Sequence, residues 1–216
     1  MTEGVAIHCA VLEPKCYKDR FAVGPDVRKG PEWHRFLAYC EENNKTPLSG
    51  KQSKRIREMY GGIREALKNG SAAARTLYCP GENEVSVVWE EDGLTHKGRA
   101  DRRFVGGSGP VIVDLKRTHD ASEDGFSRMV ASSRLHLQAA HYLEGFEAVT
   151  GEEHSLFIWV AWEPEPPYAA AVYMCDPDDL SRARLERKRL VECLKESTEA
   201  NEWPGIDQEL KTLSMP

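Results

Sequence analysis

None of the six cysteines (Cys9, Cys16, Cys40, Cys79, Cys175 and Cys193) stands in a CxxC pair. This spacing excludes a zinc knuckle and a disulfide framework, and leaves no tight cysteine cluster to hold an iron–sulfur centre. Reduced thiols, mostly buried, are expected. The opening stretch, residues 1–14, lacks a basic segment and carries only a short apolar run, which excludes a secretory leader or membrane anchor there and makes cytoplasmic residence the expectation. Positive charge is not in surplus either: 29 Lys and Arg face 35 Asp and Glu, a formal charge of −6. Repeats, low-complexity tracts and a dividing linker are also missing. What remains is 216 residues, 40% hydrophobic, enough to bury one sizeable core as a single domain.

The charge is unevenly placed. Acidic residues crowd at 82–92 and 176–179, whereas Lys97, Arg99, Arg102 and Arg103 fall within seven residues. Such a mixture suits a site that combines carboxylates for an ion with a basic strip for phosphates. Apolar spacing predicts a short helix over 4–12, closed by Pro14, and another over 31–44 carrying Trp33, Phe36, Leu37 and Cys40. A third, over 51–69, places Ile56, Met59, Ile63 and Leu67 on one stripe and stops at Gly70.

The period then changes from 3.6 to 2. Val85, Val87 and Trp89 alternate, Asp92-Gly93 makes a hairpin turn, and the chain returns through 94–104. A glycine-rich loop, 106–110, leads into the strand VIVDLK at 111–116. One long helix is predicted over about 124–149, a buried strand over 154–162 and a further strand over 168–175. Asp176-Pro177 caps a charged helix to about 199, with Leu180, Leu190 and Leu194 among its apolar positions. Its alternating charges at 182–189 read as a solvated face.

The chemistry concentrates in Gly98-Arg99-Ala100-Asp101 and Asp114-Leu115-Lys116. Strand periodicity puts 114 and 116 on one face, and the preceding hairpin can bring Asp101 beside them. Two carboxylates and the Leu115 backbone carbonyl form a hard oxygen site suited to Mg²⁺, with Lys116 directed at the attacking water. Phosphodiester hydrolysis is the reaction such a set suits. By the same parity Lys97, Arg99, Asp101 and Arg103 share a face, a basic surface that can grip DNA phosphates. From the residues alone, His8 among Val5, Ala6, Ile7 and Val11 reads as a core histidine, Glu84 as one of several surface carboxylates, and Gln138 and Tyr142 as polar groups sharing a helix face.

The segment Ile7-His8-Cys9-Ala10-Val11-Leu12-Glu13-Pro14 followed by Phe21-Ala22-Val23 resembles the opening of the RecE-like (exonuclease VIII) nuclease domain of the PD-(D/E)XK superfamily. Glu84, Gly98-Arg99-x-Asp101, Asp114-x-Lys116-x-Thr118 and His136-x-Gln138-x-x-x-Tyr142 follow in that family's order. Glu202-Trp203-Pro204 and Leu213-Ser214-Met215-Pro216 are similar too. Ala100, Arg117 and Leu135 depart from the pattern, and none is a proposed ligand.

The resemblance implies an α/β fold: a mixed β-sheet on an αβββαβ nuclease core, about residues 51–175, with flanking helices. It implies His8 and Glu84 as metal ligands beside Asp101, Asp114 and the Leu115 carbonyl, and Gln138 and Tyr142 as groups that reach the scissile phosphate or orient the site. The implied activity is 5′ to 3′ digestion of one strand of double-stranded DNA from its ends, with Mg²⁺ or Mn²⁺. The implied assembly is a ring-like homo-oligomer, with a tetramer among the options, and the implied partner a RecT-like annealing protein in a bacterial or phage-infected cell. The alternatives are an endonuclease or single-strand nuclease on the same site, or a catalytically silent DNA-binding module of this fold.

Overall fold

The computed structural model describes residues 2–68, 77, 79–107 and 109–205. Helix α1 (Thr2–Leu12), the single turn α2 (Tyr17–Arg20), strand β1 (Phe21–Gly24), α3 (Pro31–Glu42), β2 (Thr46–Ser49) and α4 (Gly50–Lys68) come first. The meander β3 (Glu82–Glu91), β4 (Leu94–Gly106) and β5 (Gly109–Arg117) follows, then α5 (Glu123–Ser132), α6 (Leu135–Thr150), β6 (Leu156–Trp162), β7 (Ala170–Met174) and α7 (Pro177–Ala200). The expected mixed sheet with an αβββαβ order is present.

Five strands lie in the order β3-β4-β5-β6-β7, with β5 and β6 parallel and the other neighbours antiparallel. The hairpin between β3 and β4 turns on Asp92 and Gly93, with φ of 52° and 79°, the doubly left-handed geometry whose twist matches the flanking strands. β5 and β6 are apolar on both sides because both faces of the sheet are covered. Val111, Val113, Leu115, Ile158, Val160 and Trp162 pack with Ile7 of α1 and with Ile56, Met59 and Ile63 of α4. Ile112, Phe157, Trp159 and Ala161 pack on the opposite side against Phe126 of α5, Leu143 and Phe146 of α6, and Leu180 of α7. Each such buried side chain contributes on the order of 1.5–3 kcal/mol.

Several expectations are corrected. The helix read over 124–149 is two helices, because Arg134 enters the left-handed region at φ 52° and breaks the run after Ser133. Parallel pairing of β1 with β2 was not foreseen; four-residue strands separated by a helix carry no readable periodicity. In α7 the buried positions are Leu180, Ala183, Arg187 and Val191, while Leu190 and Leu194 are 46% and 43% exposed. Of the thiols only Cys9, Cys40 and Cys175 are buried. Gly70 and residues 213–216 lie outside the described residues. Among those described, no helix is long and apolar enough to cross a membrane.

Candidate active site

The site forms where β4 and β5 part. Their ladder runs from Gly106 opposite Gly109 to Arg102 opposite Val113 and stops there, although β5 remains paired with β6 as far as Arg117. One residue beyond the last rung, the Asp101 carboxylate accepts the Leu115 N–H at 2.7 Å. A side chain thus takes the place of the missing backbone partner, and this satisfies an amide that would otherwise be buried unpaired.

The β3–β4 ladder is interrupted at the same level: Asn83 pairs with Arg102 and Val85 with Ala100, with no rung between them. Glu84 sits there with φ 54°, a left-handed conformation that costs a non-glycine residue on the order of 1–3 kcal/mol and is characteristic of functional positions. The interruption switches side-chain parity. Val87, Trp89 and Ala100 belong to the core under α6, whereas Asn83 donates to the Leu12 carbonyl of α1 at 2.6 Å and accepts from Arg102 at 2.5 Å.

His8, projecting from α1, closes the group. One donor atom from each of His8, Glu84 and Asp101 lies within 4.8 Å of the others, and His8 Nδ1 is 3.6 Å from Asp101 Oδ2. These side chains, with Cys9, Arg20 and Arg99, line a cleft of about 470 Å³. Arg99 Nε donates to Glu84 at 2.8 Å and is more than half exposed. Asp114 lies deeper: its side chain is 4% exposed, with Lys116 Nζ 2.9 Å from Oδ2. Lys116 hydrogen-bonds Oδ1 at 3.2 Å, and Oδ2 has no hydrogen bond of acceptable geometry.

The electrostatics follow from this crowding. Burial pushes the Asp114 carboxyl up to about 6, helped by the Asp101 charge and only partly offset by Lys116 and His8. Burial alone would lower the His8 imidazole, but its hydrogen bond to Asp101 and the charges of Asp101, Asp114 and Glu84 outweigh that and raise it. An imidazole nitrogen beside two carboxylates, with a third, buried carboxylate alongside paired to Lys116, is a donor set that fits a hard or borderline divalent cation.

The expected residues therefore divide. His8, Glu84 and Asp101 converge, with Asp114 and Lys116 alongside. Tyr142 of α6 packs over Gly98, where a Cβ would stand 3.2 Å from its ring; glycine is thus what lets α6 approach β4 one turn from Gln138. Among the described residues no hydrogen bond joins Gln138 or Tyr142 to the carboxylates. Lys97 is exposed.

Arg103 is a correction. The parity switch turns it to the α6 side, where it donates to Glu152 at 2.6 Å and to His154 at 3.1 Å. Arg102 is buried and serves structure rather than a basic strip. Arg20 was missed: the α1–α2 turn folds it back to the cleft, bonded to Glu13 at 2.5 Å, and no spacing in the sequence announces that return.

A sheet of this order, with carboxylates where two strands part and a lysine two residues after the deeper one, defines a PD-(D/E)XK-like nuclease domain. More particularly, the chain belongs to the family described as a PDDEXK-like domain of unknown function (DUF3799), whose profile matches residues 1–211. Among solved structures it resembles a "Putative exonuclease" from Eubacterium rectale, with a TM-score of 0.55 and 19% identity over 86% of this chain and 71% of that one. At that identity the likeness shows the fold alone. A second, SSO0001, aligns with a TM-score of 0.31 at 20% identity over 63% of this chain and 70% of its own. No curated protein matches the sequence.

Proposed function

We propose that this protein is a Mg²⁺-dependent exonuclease that degrades one strand of linear double-stranded DNA from 5′ to 3′ and leaves 3′ single-stranded overhangs for recombination. The observation that carries the hydrolytic part is the group His8, Glu84 and Asp101 within 4.8 Å beside the buried Asp114–Lys116 pair. A divalent ion held by His8, Glu84, Asp101, Asp114 and the Leu115 carbonyl would polarise the phosphoryl group and acidify a water.

The chain's own groups do the rest. The Leu115 N–H holds Asp101 in one orientation, so the ligand needs no reorganisation. Asp114 holds the Lys116 side chain, whose ammonium positions the attacking water and whose neutral amine would take up that water's proton. Arg99 and Lys97, with Arg20 added by the fold, neutralise backbone phosphates at the mouth of the cleft. Gln138 and Tyr142, one turn apart on α6, orient the scissile group from the far side.

End dependence is supported by the RecE-like order of motifs and by the name of the Eubacterium rectale protein, and polarity by the motif order. The same resemblance supports a homo-oligomeric ring, Mn²⁺ as a substitute for Mg²⁺, a RecT-like annealing partner and a cytoplasmic setting. The test is digestion of linear duplex labelled at either 5′ or 3′ end, with Mg²⁺ or EDTA, for wild type and Lys116→Ala, with a closed circle as control. Early Mg²⁺-dependent release of the 5′ label with the circle intact is expected. Cutting of the circle would instead establish an endonuclease, and binding without digestion a silent module.

A further inference from the structure

Immediately beyond the lysine a second cavity opens, about 420 Å³, lined by Arg117, Thr118, His119, Asp120, Arg128 and Met129. Its wall is built rather than loose. The Thr118 N–H donates to the Trp162 carbonyl at 2.9 Å, its hydroxyl donates to the Asp120 carbonyl at 2.9 Å, and the Ala121 N–H donates to Glu163 at 2.8 Å. Arg117 and His119 therefore project from a fixed backbone, and Arg128 faces them from α5.

What distinguishes these bases is that they line one cavity. Elsewhere arginines such as Arg55, Arg103, Arg134, Arg184 and Arg187 are claimed by Glu165, Glu152, Glu186, Glu147 and Glu91. Among the described residues Arg117 and His119 have no ion pair or hydrogen bond from their side chains. Arg128 approaches only Asp120, at 4.0 Å with both side chains more than half exposed. The carboxylate on the rim is itself engaged, since Asp120 Oδ1 accepts the Ser122 N–H at 2.9 Å. The cavity keeps a positive surplus beside an otherwise acidic site.

Its position relative to Lys116 is bounded by the chain. Successive Cα atoms are 3.8 Å apart, so Arg117 begins one step and His119 at most about 11 Å from the lysine. Along one DNA strand phosphates rise by about 3.4 Å each. Arg117, next to Lys116 on β5, leaves the opposite face of that strand, so the cut strand meets these side chains by passing over the end of β5, where His119 and Arg128 line the cavity.

We infer that this cavity is a second phosphate subsite, holding backbone phosphates of the cut strand one to three nucleotides from the scissile bond. The inference rests on the nuclease reading and adds where the strand runs. Planar guanidinium forks at Arg117 and Arg128 grip two phosphate oxygens each, and hold the strand in register while Lys116 acts.

The test is equilibrium binding of a labelled linear duplex, with Ca²⁺ replacing Mg²⁺, over a range of salt concentrations. Wild type is compared with Arg117→Gln/Arg128→Gln and Arg117→Lys/Arg128→Lys, each checked for an unchanged melting temperature. Each lost phosphate contact lowers the slope of log K against log salt by about 0.9, so the glutamine variant should lose about one to two in slope and the lysine variant should not. A duplex carrying one neutral methylphosphonate linkage near the scissile position should weaken wild type and leave the glutamine variant unaffected. Inorganic phosphate at matched ionic strength should compete with the duplex in wild type and not in the glutamine variant, and equal competition in both overturns the subsite. A wild type that cuts duplex while the glutamine variant keeps its slope overturns the subsite alone. A wild type that neither binds nor cuts removes the nuclease reading and the subsite with it.

Discussion

Two clusters of buried charge sit in this sheet, and they differ in who supplies the cation. Behind the β3–β4 hairpin, Arg187 of α7 is 6% exposed and is paired with Glu91 and Glu144. It donates to Glu91 Oε1 at 3.1 Å and to His141 at 3.1 Å. Its hydrogen bonds hold Glu91 below the usual carboxylate range. There the chain places its own guanidinium at the centre of the acids. At the parting of β4 and β5, three carboxylates, Glu84, Asp101 and Asp114, share Lys116, the His8 imidazole and a largely exposed Arg99. Burial raises a carboxyl in both, Glu144 in the first and Asp114 in the second, so what separates them is the buried guanidinium at the centre of the first; the second fits an added cation.

That contrast can be broken from either side. The largest effect is expected at the site: Lys116→Ala should lower hydrolysis by about 10³-fold or more, near 4 kcal/mol of barrier, and should lower the melting temperature less than Arg187→Ala does, because the stranded Asp114 can take up a proton. Single-turnover cleavage and a thermal melt on the same sample check both halves, and a variant that cuts normally removes Lys116 from the mechanism.

Arg187→Ala should do the reverse. Stranding two acids behind the hairpin should cost about 3–4 kcal/mol of stability, a fall of roughly 10 °C in melting temperature for a chain of this size. Activity per folded molecule should be retained, and calorimetry with an active-site titration tests it. An unchanged melt would make this cluster no more structural than the other.

The third effect depends on pH. Because burial raises the Asp114 carboxyl in the folded state to about 6, the native protein binds that proton more tightly than the unfolded chain. Stability of the metal-free protein should therefore fall as pH rises from about 4 to 6, and the deficit should persist above 6. Asp114→Asn should be more stable than wild type at pH 7 by up to about 2–3 kcal/mol and equal to it near pH 4, while losing hydrolysis. Urea titrations across that range decide it, and a flat difference would show that Asp114 is not the titrating group.

The smallest concerns the ion. An imidazole favours Mn²⁺ over Mg²⁺, so His8→Ala should weaken Mn²⁺ binding about tenfold, near 1.4 kcal/mol, and Mg²⁺ binding less. Isothermal titration gives both constants, and equal losses would remove His8 from the ligand set.

Much of this was legible in order rather than in place. Asp101, Asp114 and Lys116 could be read because a hairpin and a period of two bring them to one strand end. The basic strip could not be read the same way, since the β3–β4 ladder is interrupted at Glu84 and Asp101, and Arg103, beyond that break, turns to the opposite face. Arg187, read as part of a solvated run, is buried because α7 lies against α6 and the hairpin, a contact no local pattern contains.

Local periodicity and turn chemistry thus determined α1, α3, α4 and α7, the β3–β4–β5 meander and the identity of the carboxylates and lysine, because these depend on residues within a few positions of one another. Only the tertiary structure decided that His8 and Glu84 meet Asp101, that Arg20 joins the cleft and that Arg117, His119 and Arg128 share a cavity. Those meetings require strands to separate and distant helices to dock, and the free energy that drives both is spread over the whole core.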